Sequence, residues 1–219
     1  MVTQDFVNAV MLKATGKATV LVESDKKWAR IVGIANGYID QWQYETSTDW
    51  SSLYEKSKSF GQITATNTYA IPDDVRKISD TPGDFIYIKT SSGQMIAFST
   101  VLADELNQYE GLNICAQVGK NLVFGKTFSA EDAEFGGEIL VPVYKFAESL
   151  TTGSSVIPVD IPRWLVIITA AEYVRNDITK QSQFPNLISE ANGLMERMID
   201  DNDAQVSFVY APWIAGGGS

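Results

Sequence analysis

The sequence predicts an α+β protein: a bundle formed by N- and C-terminal helices, a small antiparallel β sheet or barrel inserted between them, and an extended C-terminal arm. Three observations lead there. Apolar residues recur at helical spacing in the first 43 residues and again between 164 and 201. Between about 60 and 158 the pattern becomes short β-prone runs separated by turn residues. From Val206, large apolar residues alternate with smaller or polar ones. The corresponding divisions are 1–58 for the N-terminal helices, 59–158 for the β-rich insertion, 159–203 for a C-terminal helical hairpin and 204–219 for the arm.

Residues 3–15 read as a helix with Thr3 as cap, Phe6, Val10 and Ala14 on one face, and Gly16 as terminator. Residues 25–43 read as a second helix behind Ser24 as N-cap. Trp28, Ile31, Ala35, Tyr38, Ile39 and Trp42 fall at spacings of three and four, which puts three large aromatics on one face. A β-prone run from Phe60 to Tyr69 stops before Pro72. Phe85–Lys89 and Gln94–Phe98 flank Ser91-Ser92-Gly93 as a hairpin. Leu102–Tyr109 is a short helical interlude. Leu112–Gln117 and Leu122–Phe124 make a second hairpin across Gly119-Lys120-Asn121, and Gly136-Gly137 breaks the chain before a strand over Glu138–Tyr144.

Residues 156–161 run extended, and Pro162 suits the first turn of a helix. Trp164–Thr179 is helical and apolar on most faces at its start, as a helix with several neighbours would be. Gln181–Pro185 interrupts it. Residues 186–201 resume as helix, with Leu187, Ile188, Ala191, Leu194, Met195, Met198 and Ile199 on one stripe.

Composition narrows the function. The 219 residues are 45% hydrophobic and 20% charged, within the range of folded proteins. The net charge is −10, and basic runs such as Lys56 to Lys58 are short. That balance disfavours binding to the phosphate backbone of nucleic acid, although a ring of acidic subunits would let DNA slide through without stalling. The lone Cys115 sits in an apolar run and excludes an intramolecular disulfide. The N-terminus lacks the basic-then-apolar order of a signal peptide. The longest apolar run, Trp164 to Ala171, is about half the length of a membrane span.

Histidine is absent. This removes Ser-His and Cys-His catalysis, imidazole acid–base chemistry and the commonest metal ligand. Nucleotide motifs are missing too: neither a Walker loop nor a G-x-G-x-x-G after a strand occurs, and Gly33 and Gly37 fall inside a helical pattern. Asp200-Asp201-Asn202-Asp203 is the best cation candidate, but its spacing is not that of a calcium loop and it reads as a solvated helix end. Glu131, Asp132, Glu134 and Glu138 surround a loop where paired carboxylates would have to lie for glycoside hydrolysis; they read as a charged surface loop. No residue stands out as catalytic, and no cofactor or metal is expected.

The C-terminal arm carries the strongest functional signal. Either it folds back on its own core, or it adds to another chain. Three strings then bear on the choice: Thr48-Asp49-Trp50-Ser51-Ser52-Leu53-Tyr54; Tyr69-Ala70-Ile71-Pro72-Asp73-Asp74-Val75-Arg76-Lys77-Ile78; and Ala170-Ala171-Glu172-Tyr173-Val174-Arg175-Asn176-Asp177-Ile178-Thr179. With early helices, a β insertion and a late Ala-rich helix, the chain over most of its length resembles head-to-tail connector (neck adaptor) proteins of tailed bacteriophages. Ile71 stands where that family often has Leu, and the β insertion is larger than in the smallest adaptors.

The resemblance implies a structural virion protein with no enzymatic activity, assembled in the host cytoplasm. It implies self-association into a ring of about a dozen copies on the portal protein. A tail, stopper or nozzle protein would lie on the far side, with DNA passing through the lumen without specific binding and no membrane involved. Phe208, Tyr210, Pro212 and Trp213 would be the anchors of the arm on the portal. The alternatives are another tail component, such as a tail terminator or baseplate subunit, and a carboxylate-based glycosidase or carbohydrate-binding module.

Overall fold

The computed structural model describes residues 1–44, 48–81, 83–109, 111–175 and 177–210. They form two compact units: 1–53 together with the chain from 147 onward, and 54–146.

The first unit is helical. Helix α1 spans Thr3–Thr15 and α2 spans Lys26–Gln43; after the second unit come α3, Pro162–Arg175, and α4, Phe184–Tyr210. One core gathers Phe6, Val10, Ile31, Ile39, Trp42, Trp50, Leu165, Ile167, Ala171, Leu187 and Ala191. The spacing that predicts α2 is the spacing that buries it, since Trp28, Ile31, Ala35, Ile39 and Trp42 are all buried. Helix α3 is buried on nearly every face from Trp164 to Ala171, as its all-round apolar start requires.

Two caps differ from expectation. Asp25, not Ser24, accepts the N–H of Lys27 to start α2. Thr3 is fully buried inside α1, and its hydroxyl donates to Ser155 O (2.9 Å) instead of capping. Gly16 ends α1 as expected, with φ 70° and its N–H on Leu12 O.

The second unit is an eight-stranded mixed sheet that curls into a half-barrel. Its strands are β1 Tyr54–Gln62, β2 Thr68–Ala70, β3 Val75–Ile78, β4 Ile86–Lys89, β5 Met95–Thr100, β6 Ile114–Val118, β7 Asn121–Phe124 and β8 Glu138–Lys145. The order is β1-β8-β4-β5-β6-β7-β2, and β3 takes the end of β8 beyond β4. Both predicted hairpins are present as β4–β5 and β6–β7. Inside lie Ile86, Ile88, Phe98, Cys115, Leu122, Phe124, Phe128, Ile139 and Val141. The rings of Phe98, Phe124 and Phe128 meet edge to face, with centroids 5.0 Å apart for the first pair and 5.3 Å for Phe124–Phe128.

The expected architecture is corrected in three respects. The sheet is not a small insertion in a helical bundle; it takes residues 54–146 and has a core of its own. It is not purely antiparallel, because β5 and β6 run parallel, with Ser99 opposite Ile114 and Thr100 opposite Cys115. The interlude before β6, Leu106–Tyr109, is a single 3-10 turn within the connection that makes this parallel step possible. Finally, the stretch from 204 is not an extended arm from its start, because α4 carries the backbone on as helix to Tyr210. Extending an existing helix needs no new nucleus, and no Gly or Pro intervenes before Pro212.

Candidate functional site

The stripe of α4 first seats it on the helical core. Leu187, Ala191 and Met198 are buried, and Ile188, Leu194, Met195 and Ile199 pack around them. One helical turn on, Asn202 is buried too, and it is satisfied: its Nδ2 donates to Asp49 O (3.1 Å), and its Oδ1 accepts the N–H of Ser51 (2.9 Å). Asn202 therefore fixes α4 to the turn that follows α2. The four anchors expected from the sequence come after this clamp. Phe208 and Tyr210 belong to the end of α4, whereas Pro212 and Trp213 lie outside the described residues.

The strings that carry the resemblance hold positions that build the two units. Trp50 stacks on Trp42 (centroids 5.0 Å) and donates its indole N–H to Trp42 O (2.8 Å). The Tyr69 hydroxyl donates within the loop before β2, lying 3.0 Å from Thr66 O and 3.2 Å from Thr64 O, and accepts the N–H of Thr64. Ala170 and Ala171 are fully buried in α3, where a larger side chain would keep its neighbours apart. Asn176 lies outside the described residues.

Two of the candidate acids are already engaged. Glu134, nearly buried, accepts from Lys126 (2.6 Å). Asp132 accepts the N–H and hydroxyl of Ser129, and these bonds lower its carboxyl below the ordinary range. Glu138 stands in β8 opposite Gln62 on one side and Lys89 on the other. Around the second cluster, Asp201 and Asn202 line a cleft with Ser51, Asp160, Ile161 and Met198. Burial raises the Asp160 carboxyl, and a hydrogen bond from Ser52 opposes that rise. Among the described residues no group of three acidic or thiol ligands converges as a metal site.

Cys115 is fully buried in the sheet core, and burial pushes its thiol up to about 12. A nucleophilic cysteine needs the opposite shift. One further feature has no local mark in the sequence, a hollow of about 240 Å³ in the sheet unit lined by Arg76, Lys77, Lys120, Asp73 and Phe146. It depends on β3, which the sequence reading missed. Two of its three cations already have companions: Arg76 lies over the Tyr144 ring (5.9 Å), and Lys77 pairs with Asp80 (3.0 Å). No described helix is long and apolar enough to cross a membrane. No protein-family model matches the chain, and no curated protein matches it.

Proposed function

We propose that this chain is a structural adaptor of a tailed-phage connector. It forms a ring on the portal, bridges the portal to the tail, and performs no chemistry. The observation that carries this reading is the course of α4. Asn202 clamps α4 to the turn after α2, the helix runs on to Tyr210, and the sequence past the clamp holds Val206, Phe208, Tyr210, Pro212, Trp213 and Ile214. So apolar a stretch calls for a covering surface, and the adaptor reading supplies it on the portal, with Phe208, Tyr210, Pro212 and Trp213 as anchors.

Two further features support the reading. The resemblance implies early helices, a β-rich stretch and late helices, and the two units have that order along the chain. The charge of −10 suits a passage through which DNA must slide without sticking.

The test is the mass of the particle formed when the full chain is mixed with purified portal rings. A stable complex with about one copy per portal subunit is expected. If the chain stays apart from the portal, the adaptor reading falls and a tail component takes its place.

A further inference from the structure

The segment between α1 and α2 is neither helix nor strand, and its burial alternates. Leu21 is 5% exposed, whereas its neighbours Val20 and Val22 are 78% and 61% exposed. That period of two belongs to an extended chain. In such a chain the N–H and C=O of one residue point to one edge, and those of the next residue to the other. Gln4 Nε2 donates to Leu21 O (2.8 Å), so α1 occupies the edge of Leu21. The edge of Ala18, Val20 and Val22 is open. Among the described residues, the N–H groups of these three have no acceptor and the carbonyls of Ala18 and Val20 have no donor; Val22 O accepts the N–H of Asp25 (2.9 Å).

We propose that this edge pairs antiparallel with the same edge of a second copy, Val20 opposite Val20. The sequence Lys17-Ala18-Thr19-Val20-Leu21-Val22-Glu23 selects the register. Centred on Val20, Ala18 faces Val22, and Lys17 of each copy faces Glu23 of the other. Opposite charges across a strand pair stabilise it, and like charges oppose it. Centring on Val22 would set Lys17 against Lys27, and centring on Leu21 would set Ala18 against Ser24 and Lys17 against Asp25, inside the turn that the Asp25 N–H closes on Val22 O and with the Asp25 carboxylate already capping α2. Glu23 already accepts the N–H of Gly153 through Oε1, which fixes its side chain and leaves Oε2 for the lysine. Val2 and Val156, opposite each other in an isolated bridge and 36% and 67% exposed, add apolar surface on the same unit near Gln4 and Gly153.

The pair answers two liabilities at once, an unpaired backbone edge and exposed valines. An isologous contact closes a dimer and cannot propagate a cyclic ring. The pair is therefore a state of the chain away from any larger particle, and it does not depend on the adaptor reading.

Single cysteines in the full chain test the register. Directly opposed, hydrogen-bonded residues have Cα atoms about 5.5 Å apart, within reach of a disulfide. The native Cys115 is buried and does not compete. Under oxidised glutathione, Val20→Cys is expected to form a linked dimer. Ala18→Cys and Val22→Cys are expected to stay unlinked alone and to link to each other when mixed. Lys17→Glu should weaken the unlinked dimer about tenfold through its two charge pairs, and adding Glu23→Lys should restore it. If Val20→Cys links no faster than Ala18→Cys alone, or if the native chain sediments as a monomer at every concentration, the proposal is overturned. Portal binding is a separate readout and stands or falls alone.

Discussion

Asn202 of α4 accepts the N–H of Ser51 at 2.9 Å while donating to Asp49 O at 3.1 Å, a buried amide that spans from the last third of α4 to the turn after α2. Asn202→Ala removes both bonds and should destabilise the helical unit by about 1–3 kcal/mol. Asn202→Asp keeps the acceptor for Ser51 but sets a carboxylate against the Asp49 carbonyl, so it should cost at least as much. Trp28, Trp42, Trp50 and Trp164 are buried in the core of the helical unit, and their fluorescence follows its unfolding. A urea midpoint lowered with unchanged slope is expected; an unchanged midpoint would show that the amide does not clamp α4.

Gly136 and Gly137 stand side by side and should respond differently to alanine. At Gly136, φ is 74° and nothing would meet an added Cβ, so the cost is the backbone penalty of about 1 kcal/mol. A Cβ on Gly137 would lie 2.8 Å from Glu134 O and 2.8 Å from Ile88 Cγ2. Backbone would have to shift at the start of β8, which carries three other strands. Gly137→Ala should therefore be the more damaging, by about 1–3 kcal/mol over Gly136→Ala. Thermal unfolding followed by far-ultraviolet circular dichroism ranks them, and equal costs would contradict the close approach.

Helices were legible where one face faces one core: the three-and-four spacing of Trp28, Ile31, Ala35, Ile39 and Trp42 is sufficient to place α2. What stayed hidden depends on distant partners. Val75–Ile78 is only four residues long, and its pairing with Val143–Lys145 has no local mark. The run from Phe60 to Tyr69 looks continuous, but the chain turns within it, and the Tyr69 hydroxyl ties that turn to Thr64 and Thr66. The parallel step from β5 to β6 arises from a connection of ordinary appearance. At the end of α4, Val206, Phe208 and Tyr210 suggested a strand by alternation, but continuation of the helix prevailed. The open edge at Val20 was invisible in sequence, because exposure and an occupied Leu21 carbonyl are tertiary facts.

Glu190 of α4 accepts from Lys13 of α1 and from Arg163 of α3, each at 2.8 Å. The bond from Lys13 is the largest cause of its lowered carboxyl, followed by that from Arg163. A carboxyl lowered by folding stabilises the native state above its unfolded value of about 4.3 and loses that contribution as pH falls through the lower folded value. Glu190→Gln should therefore be less stable than the native chain at pH 7, by under about 1 kcal/mol per partly exposed pair. The two should converge as pH falls below about 4. Urea midpoints from tryptophan fluorescence at pH 7, 5 and 3 measure this, and a gap that widens in acid would reverse the sign.

Cys115 offers a reporter for the other unit. Its side chain is fully buried beside the phenylalanine cluster, and its thiol is held at about 12 by burial. At pH 8 it should resist an aromatic disulfide reagent in the native chain and react at once in denaturant, because thiolate is the reactive form. Phe124→Ala removes a ring that contacts Phe98, Phe128 and Tyr69 and should cost the sheet about 3–5 kcal/mol. Labelling of Cys115 should then accelerate at least a hundredfold where exchange follows the unfolding equilibrium. The tryptophan transition should stay near its native midpoint, because the tryptophans report a unit with a separate core. If both probes moved together, the two units would unfold as one cooperative body despite their separate cores.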